Sequence, residues 1–457
     1  MNNGNVNNNN NKNNTNRVRA VAPVPAASAT PQVVYDIPFS SVIQAWIDCE
    51  RNKKSSNSCT KFRWHAARDL VALWKSMYSG EYKPNASMVF MVMYPVLREV
   101  WAGAFRDRTV HHWEALRFGP VIEKYFVDVG DVSMNCRKGY GSLRAIQTFQ
   151  KYIYDYTEGY TRQDCWIVGG DFANFFMSID KEILWEALEQ LIMDEYTGED
   201  KSQLLYMMHK TLFHKPQENY YRHSPIELWE GLPDRKSLFH MDGLAIGNLP
   251  SQLWANLMGA IFTDWVIHVK KVECFLIFVD DWRCLVRSAE EGRELIAEFK
   301  KFLQDQLHIT LHPNKVYLQH YTKGTKMVGA VIKSKRVYIS NRTRGHFIEA
   351  MKKHNAAALA TNHAGRMAML EKVRATINSY LGMMVHFNSY KIRRRICMEL
   401  IVPVWGEYMY FEEGFMKCKI KARYDKLWVV RKKLKRHNYA AKFIRPKWRP
   451  TEEEDNQ

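Results

Sequence analysis

VECFLIFVDDWRCLVRS, Val272 to Ser288, decides the fold of this chain. The apolar run CFLIFV leads into Asp280 and Asp281, and WRCLV follows them. Each run has the length and composition of a strand, so the segment predicts two strands joined tightly at the acid pair. It is a hairpin without the usual Asn-Gly turn. A solvated loop holds two aspartates at little cost. Acids between buried strands are costly unless they bind something, and one ordinary solution is a pair of Mg²⁺ ions, which take carboxylate oxygens.

Upstream, CWIVGGDFANFF (Cys165 to Phe176) is a second apolar strand that also ends on an acid, Asp171. Its Gly169-Gly170 pair permits close backbone approach. Three carboxylates on neighbouring strand ends can hold two metals ~3.5–4 Å apart, one activating a hydroxyl and both clamping a triphosphate. Such a geometry suits phosphoryl transfer, where catalysis is mostly positioning and charge neutralisation.

Outward from these strands the hydrophobic period changes. Tyr35 to Tyr82 reads as amphipathic helices, with Leu70, Val71, Leu73, Trp74 and Met77 at helical spacing. SMVFMVMYPVLREVWAG is β-rich, FRDRTVHHWEALRFGPVIEKYF helical, and RKGYGSLRAIQTFQKYIYDY a turn running into a helix. Helices are predicted over ILWEALEQLIMDEY, LPSQLWANLMGAIFTDWVIHVKK and AEEGRELIAEFKKFLQDQL, and strands over ITLHPNKVYLQ and TKMVGAVIK. Residues 197–241 carry Pro216, Pro225 and Pro233 and read as an irregular insertion. From Gly345 onward everything reads as helix. The class is α+β rather than doubly wound.

The 457 residues are 46% hydrophobic and 13% aromatic, enough for a large core. No apolar run approaches the ~18–20 residues of a membrane span, and no signal-peptide core is visible. A soluble, cytoplasmic protein with no membrane partner is expected. Eight cysteines are scattered without a CxxC pair, which favours reduced, mostly buried thiols over disulfides or zinc. His111-His112 lacks acidic or Cys companions at ligand spacing and reads as packing or nucleic-acid contact. The Asn-rich leader, 1–34, has almost nothing to bury and should be disordered. The formal charge is +18, of which Met416 to Arg449 supplies a net +13 before the last eight residues turn acidic with −4. That distribution fits a polyanionic partner, nucleic acid above all, although a solubilising surface gives the same charge. In the tail, 427–457, the cations include Lys432, Lys433, Lys435 and Arg436. Trp428, Tyr439, Phe443 and Trp448 interleave, as in surfaces that stack single-stranded bases.

DFANFFMSID (Asp171–Asp180), GLAIGNLPSQLWAN (Gly243–Asn256), FVDD (Phe278–Asp281), LHPNKVYL (Leu311–Leu318) and KMVGAVI (Lys326–Ile332) resemble, in order, the palm motifs of reverse transcriptases. FRDRTVHHWEA (Phe105–Ala115) and CRKGYGSLRAI (Cys136–Ile146) resemble the fingers motifs of the bacterial, group II intron-like members. INSYLGMMVHFNSYKIRRRI (Ile377–Ile396) is similar to a thumb helix. The resemblance covers roughly Ser87 to Ile396. It implies a right-hand polymerase with fingers at 35–160, a palm with an antiparallel sheet at 161–343, and a helical thumb at 344–426. Departures include Phe278 where tyrosine is commoner, Pro250 for a frequent threonine, and Met327-Val328-Gly329 for a usual Phe-Leu-Gly.

The roles carried over are those of an RNA-directed DNA polymerase adding dNTPs to a primer 3′-OH on template RNA, with primer and cDNA product as further partners. Asp171, Asp280 and Asp281 would be catalytic ligands of two Mg²⁺ ions, with Mn²⁺ an alternative. Phe176 would exclude the sugar 2′-hydroxyl; a core phenylalanine is its other reading. Lys315 would sit near the pyrophosphate leaving group, or be a solvated strand lysine. Arg98, Arg106 and Arg108 lie where fingers residues grip the triphosphate, and Asp107 could instead salt-bridge one of them. Ile246 to Gln252, IGNLPSQ, is similar to the motif of diversity-generating retroelement enzymes, which copy RNA with low fidelity at adenines beside a small basic accessory protein. A bacterial or phage-encoded retroelement enzyme is the expectation. The alternatives are an antiphage-defence or retron-like reverse transcriptase and, from another class, a non-catalytic polymerase-derived RNA-binding protein.

Overall fold

The computed structural model describes residues 37–425 except 52, 55, 94 and 95. The leader and the basic tail, with Lys432, Lys433, Lys435 and Arg436, lie outside the described residues.

Helices α1 (Phe39–Glu50), α2 (Asn57–Trp64) and α3 (Ala66–Tyr78) form where helical spacing predicts them. In α3 the buried stripe is Leu70, Leu73 and Met77, whereas Val71 is exposed and Trp74 half-buried. Strands β1 (Ser87–Val92) and β2 (Arg98–Ala102) pair antiparallel, followed by the long α4 (Phe105–Asp128) and by α5 (Ser142–Tyr156). Then come β3 (Trp166–Asp171), the short α6 (Phe175–Ser178) and α7 (Lys181–Glu195).

The segment 197–241 is more ordered than expected. It contains α8 (Lys201–Leu212), β4 (Tyr220–Arg222) and the one-turn α9 (Glu227–Glu230). Its prolines all follow α8, so they never opposed a helix at 201–212, whose Leu204, Met207, Met208 and Leu212 form a buried stripe. Strand β4 joins β1 in parallel, giving the order β2-β1-β4. Buried Glu99 of β2 fastens this segment by accepting from Trp229 Nε1 (3.2 Å), Ser237 Oγ (2.7 Å) and the Leu238 amide (3.0 Å).

Helix α10 (Leu249–Asp264) leads to β5 (Phe275–Phe278) and β6 (Asp281–Val286), then α11 (Ala289–Leu307) and β7 (Tyr317–His320). The central sheet runs β5-β6-β3-β7, each neighbour antiparallel. Alternation buries both faces. Val168, Phe275, Trp282 and Cys284 pack with Phe262 and Phe299, while Ile167, Leu276 and Leu285 pack with Ile146, Phe149 and Ile153 of α5. The glycine pair is explained by its partners. A Cβ on Gly169 would lie 2.6 Å from the Tyr317 ring, and one on Gly170 2.2 Å from the Trp282 ring, the cross-strand partner in each case.

TKMVGAVIK, expected as one strand, folds back on itself as β8 (Thr325–Met327) and β9 (Ala330–Ile332), because Val328 and Gly329 both adopt positive φ. Strand β10 (Val337–Ile339) completes that small antiparallel sheet, and Ser340 caps α12 (Asn341–Leu359) by accepting from the Thr343 amide. Helices α13 (His363–Met384), α14 (Tyr390–Arg395) and α15 (Val402–Trp405) share a core of their own with α12, including Phe347, Val373, Ile377 and Trp405. The all-helical expectation fails after Trp405. Strands β11 (Met409–Phe411) and β12 (Cys418–Ile420) form a hairpin whose turn holds Gly414 at φ +66, and Asn378 of α13 bonds both the amide and the carbonyl of Cys418.

The fold is α+β, and every strand pair of its sheets is antiparallel except β1 with β4. All eight cysteines are free, and six of them are buried. Among the described residues no helix is long and apolar enough to cross a membrane.

Candidate active site

The β5–β6 hairpin turns through only Val279 and Asp280. Val279 sits at φ +62, a left-handed conformation that a β-branched side chain rarely adopts and that stores local strain. Asp281 opens β6 directly opposite Asp171, the last residue of β3, and the Phe172 amide donates to the Asp280 carbonyl at 3.1 Å. The three aspartates therefore converge at one end of the sheet. Beside them, the Ala173 amide bonds Thr310 O and the His312 amide bonds Asp171 O, both at 2.8 Å. A turn from His312 then carries Lys315 Nζ to 2.7 Å from Asp171 Oδ1.

All three carboxylates are half-buried. Burial first, and then the Asp171 charge, push the Asp280 carboxyl up to about 6. Burial also raises Asp281, opposed by Arg283, whose Nη1 stands 2.6 Å from Asp281 Oδ1. An acid pushed up in this way is short of counter-charge. The donor set, three hard carboxylates against two cations, fits a divalent ion of the Mg²⁺ class. Among the described residues no three His, Cys, Asp or Glu side chains are already gathered at metal-binding spacing. Asp171 and Asp281 instead direct oxygens at Lys315 and Arg283.

The remaining expected residues divide. Phe176 is half-buried on α6, beside fully packed Phe175, and its carbonyl accepts from the Leu244 amide at 2.7 Å. Gly243 passes so close that a Cβ would lie 2.3 Å from that carbonyl oxygen, so this glycine is required. Ile246 is half-buried, and its carbonyl accepts from the Trp101 amide of β2 at 2.7 Å. Gln252 is exposed on α10, 3.6 Å from Cys136 Sγ. Arg98 is exposed on β2. Arg106 and Arg108 are engaged elsewhere. Arg106 donates to Lys83 O, Ser76 Oγ and Asp107, and Arg108 donates to Ser58 Oγ and lies over the Phe105 ring. His111 is buried and held neutral, its pKa pushed down to about 3, while His112 bonds Asp48 at 2.7 Å; both are packing residues.

Sequence reasoning missed Arg283 and Glu99. Each is a charged residue next to large apolar side chains in a strand, Arg283 between Trp282 and Cys284 and Glu99 before Val100 and Trp101, which is itself a signal, since such a charge must find a partner.

No protein-family model and no curated protein matches this chain. Among solved structures it is similar to telomerase from Candida albicans in complex with a TWJ fragment of telomeric RNA, at 10% identity and a TM-score of 0.38 over 69% of this chain and 55% of that one. It is also similar to apo telomerase from Candida tropicalis, at 10% identity and a TM-score of 0.40 over 70% and 60% of the two chains. The match thus spans little more than half of the telomerase chains, and a likeness this remote carries no argument about activity. That argument rests on the aspartates.

Proposed function

We propose that the chain is an RNA-directed DNA polymerase that extends a primer 3′-OH with dNTPs on template RNA. The observation carrying this reading is the register of Asp171 against Asp281, with Asp280 in the strained turn between β5 and β6. Three acids brought to one end of the sheet next to apolar strands serve a binder of phosphates poorly, since they repel the backbone it must hold. They serve a polymerase well, because Mg²⁺ bound to them supplies an activated hydroxyl and neutralises the triphosphate.

The chain's own groups do the rest. Asp171, Asp280 and Asp281 hold the ions, Mn²⁺ being an alternative occupant. Lys315, already within reach of Asp171, supplies charge or a proton to the leaving pyrophosphate. Phe176, fixed through its backbone to Leu244, stands against the sugar and selects deoxynucleotides by volume. Of the three fingers arginines, Arg98 is the one that keeps an exposed guanidinium for the triphosphate, since Arg106 and Arg108 reach across to Ser76 of α3 and Ser58 of α2. Ile246 and Gln252 belong to the loop that flanks the nascent pair.

The IGNLPSQ motif favours a diversity-generating retroelement over antiphage defence, and hence a bacterial or phage gene and a small basic accessory protein. A template and variable repeat pair beside the gene is the deciding observation. The activity itself is tested by primer extension on poly(rA)/oligo(dT) with Mg²⁺. No extension by cooperatively folded protein would leave the RNA-binding alternative standing.

A further inference from the structure

Arg283 lies two residues beyond Asp281 on β6, on the same face of the strand. Its side chain is only 7% exposed. Nη1 pairs with Asp281 Oδ1 at 2.6 Å and donates to Gly170 O at 3.2 Å, Nε donates to Thr325 Oγ1 at 3.1 Å, and Nη2 donates to Lys326 O at 2.8 Å. The guanidinium also faces the Tyr317 ring at 5.2 Å, and the Tyr317 hydroxyl bonds Thr325. One buried cation thus grips an active-site carboxylate, the strand that ends on Asp171, and the first strand of the β8–β10 sheet. That sheet runs through Ser340 directly into α12, the first helix of the thumb, and the Gly329 carbonyl accepts from the Ser340 amide and the Thr343 hydroxyl.

We infer that Arg283 is a positioning residue. It fixes the Asp281 carboxylate for metal binding and couples its placement to the sheet on which the thumb is mounted. The inference rests on the polymerase reading of the three aspartates. Lys315 differs in kind: its side chain is half exposed, at 52%, and among the described residues the one carboxylate it pairs with is Asp171, so it can leave when a metal arrives. Arg283 cannot leave without emptying a buried site of its charge partner and several hydrogen bonds at once.

Arg283→Lys separates positioning from charge. It keeps the cation but loses the planar fork that reaches Asp281, Thr325 and Lys326 together. In the full chain, Mn²⁺ binding followed by electron paramagnetic resonance should weaken, and kcat at saturating dNTP should fall, each by about 10–100-fold, as for other groups that orient metal ligands. KM for dNTP should stay within about twofold, because the interaction lost is not one with the nucleotide. In an Asp281→Asn background the same Arg283→Lys change should alter Mn²⁺ affinity by less than about twofold, since the two residues act as one unit. A purely structural arginine would instead lower the melting temperature and leave the Mn²⁺ affinity of the folded protein unchanged.

Cooperatively melting Arg283→Lys protein with wild-type Mn²⁺ affinity and kcat overturns the inference. If that variant does not fold, Thr325→Val decides: it removes the acceptor of Nε while sparing the ion pair, and Mn²⁺ binding should weaken several-fold, an unchanged affinity overturning the inference. Wild-type protein that binds no Mn²⁺ sinks the polymerase reading, and this inference with it. Failure of the Arg283 variants beside normal wild-type binding sinks this inference alone.

Discussion

Gly170→Ala tests how the sheet holds its acids. The new Cβ would lie 2.2 Å from Cζ2, 2.6 Å from Cε2 and 2.9 Å from Cη2 of Trp282. Carbon atoms rest at ~3.5–4.0 Å, so the ring must retreat by about 1 Å or more. It has nowhere to go. Trp282 is 0% exposed and packs edge-on to Phe299 at 5.2 Å and Phe262 at 6.2 Å, with Phe275 stacked at 6.4 Å. Overpacking of this kind costs about 1–3 kcal/mol. The gain from replacing a strand glycine offsets roughly 0.5–1 kcal/mol. A net loss of about 1–2 kcal/mol is expected in a urea titration with an unchanged m-value. Because Trp282 follows Asp281 and Gly170 precedes Asp171, DNA synthesis should fall as well. Combining the change with Trp282→Phe, which removes the clashing ring atoms, should cost less than the sum of the two single changes. A loss below ~0.5 kcal/mol, or strict additivity, would refute the claim that Trp282 requires glycine at 170.

Asp280→Ala or Asp281→Ala should lower primer extension by at least ~10³ while the protein still melts cooperatively, and near wild-type extension would remove the site assignment. Asp280, raised to about 6 in the fold, contributes stability that is fully present below its unfolded pKa of ~3.9 and is lost as pH rises through about 6. Metal-free wild type should therefore lose about 1 kcal/mol relative to Asp280→Asn between pH 5 and pH 8, and parallel stability curves would contradict the burial argument. Phe176→Val should raise rNTP use relative to dNTP, read as the ratio of kcat/KM values, and an unchanged ratio makes Phe176 a packing residue. Deleting Leu427–Gln457 removes nine Lys and Arg residues and should flatten the slope of log K for RNA against log salt by roughly 2–3 if a third of them meet phosphates. Equal slopes would mean that the tail does not touch RNA.

The acid-bearing hairpin is legible because acids inside apolar strands have few physical excuses, and the glycines before Asp171 mark a close approach that Trp282 and Tyr317 make. What misled was local chemistry read too broadly. Prolines at 216, 225 and 233 were allowed to speak for Lys201–Leu212, which they do not touch. The β11–β12 hairpin is too short for a period-2 signal, three residues a side, and depends on Asn378 bonding Cys418 across 40 positions. That Arg106 and Arg108 are engaged was not legible for the same reason. Ser58, Ser76 and Lys83 become partners of Arg108 and Arg106 only once α2, α3 and α4 have packed.

The site's segments are each pinned by something other than the site. Asp171 and Asp281 are registered by β3 and β6, Phe176 by Leu244 and the close pass of Gly243, and β2 by the Trp101–Ile246 bond and the four donors that reach buried Glu99. Such anchoring matters for charge-driven catalysis, because groups that must reorganise at each turnover give back much of the electrostatic stabilisation they provide. The carboxylates are arranged accordingly. Burial first, and then repulsion from Asp171, raise Asp280, and that repulsion is not relieved by letting the chain spread, since both faces of the sheet are packed. With the backbone held, two routes to relief remain, a proton on Asp280 or a cation at the strand ends. On the proposed reading, part of the free energy of metal binding would come from this uncompensated charge, most of it at Asp280, the one acid of the three with no ion pair among the described residues.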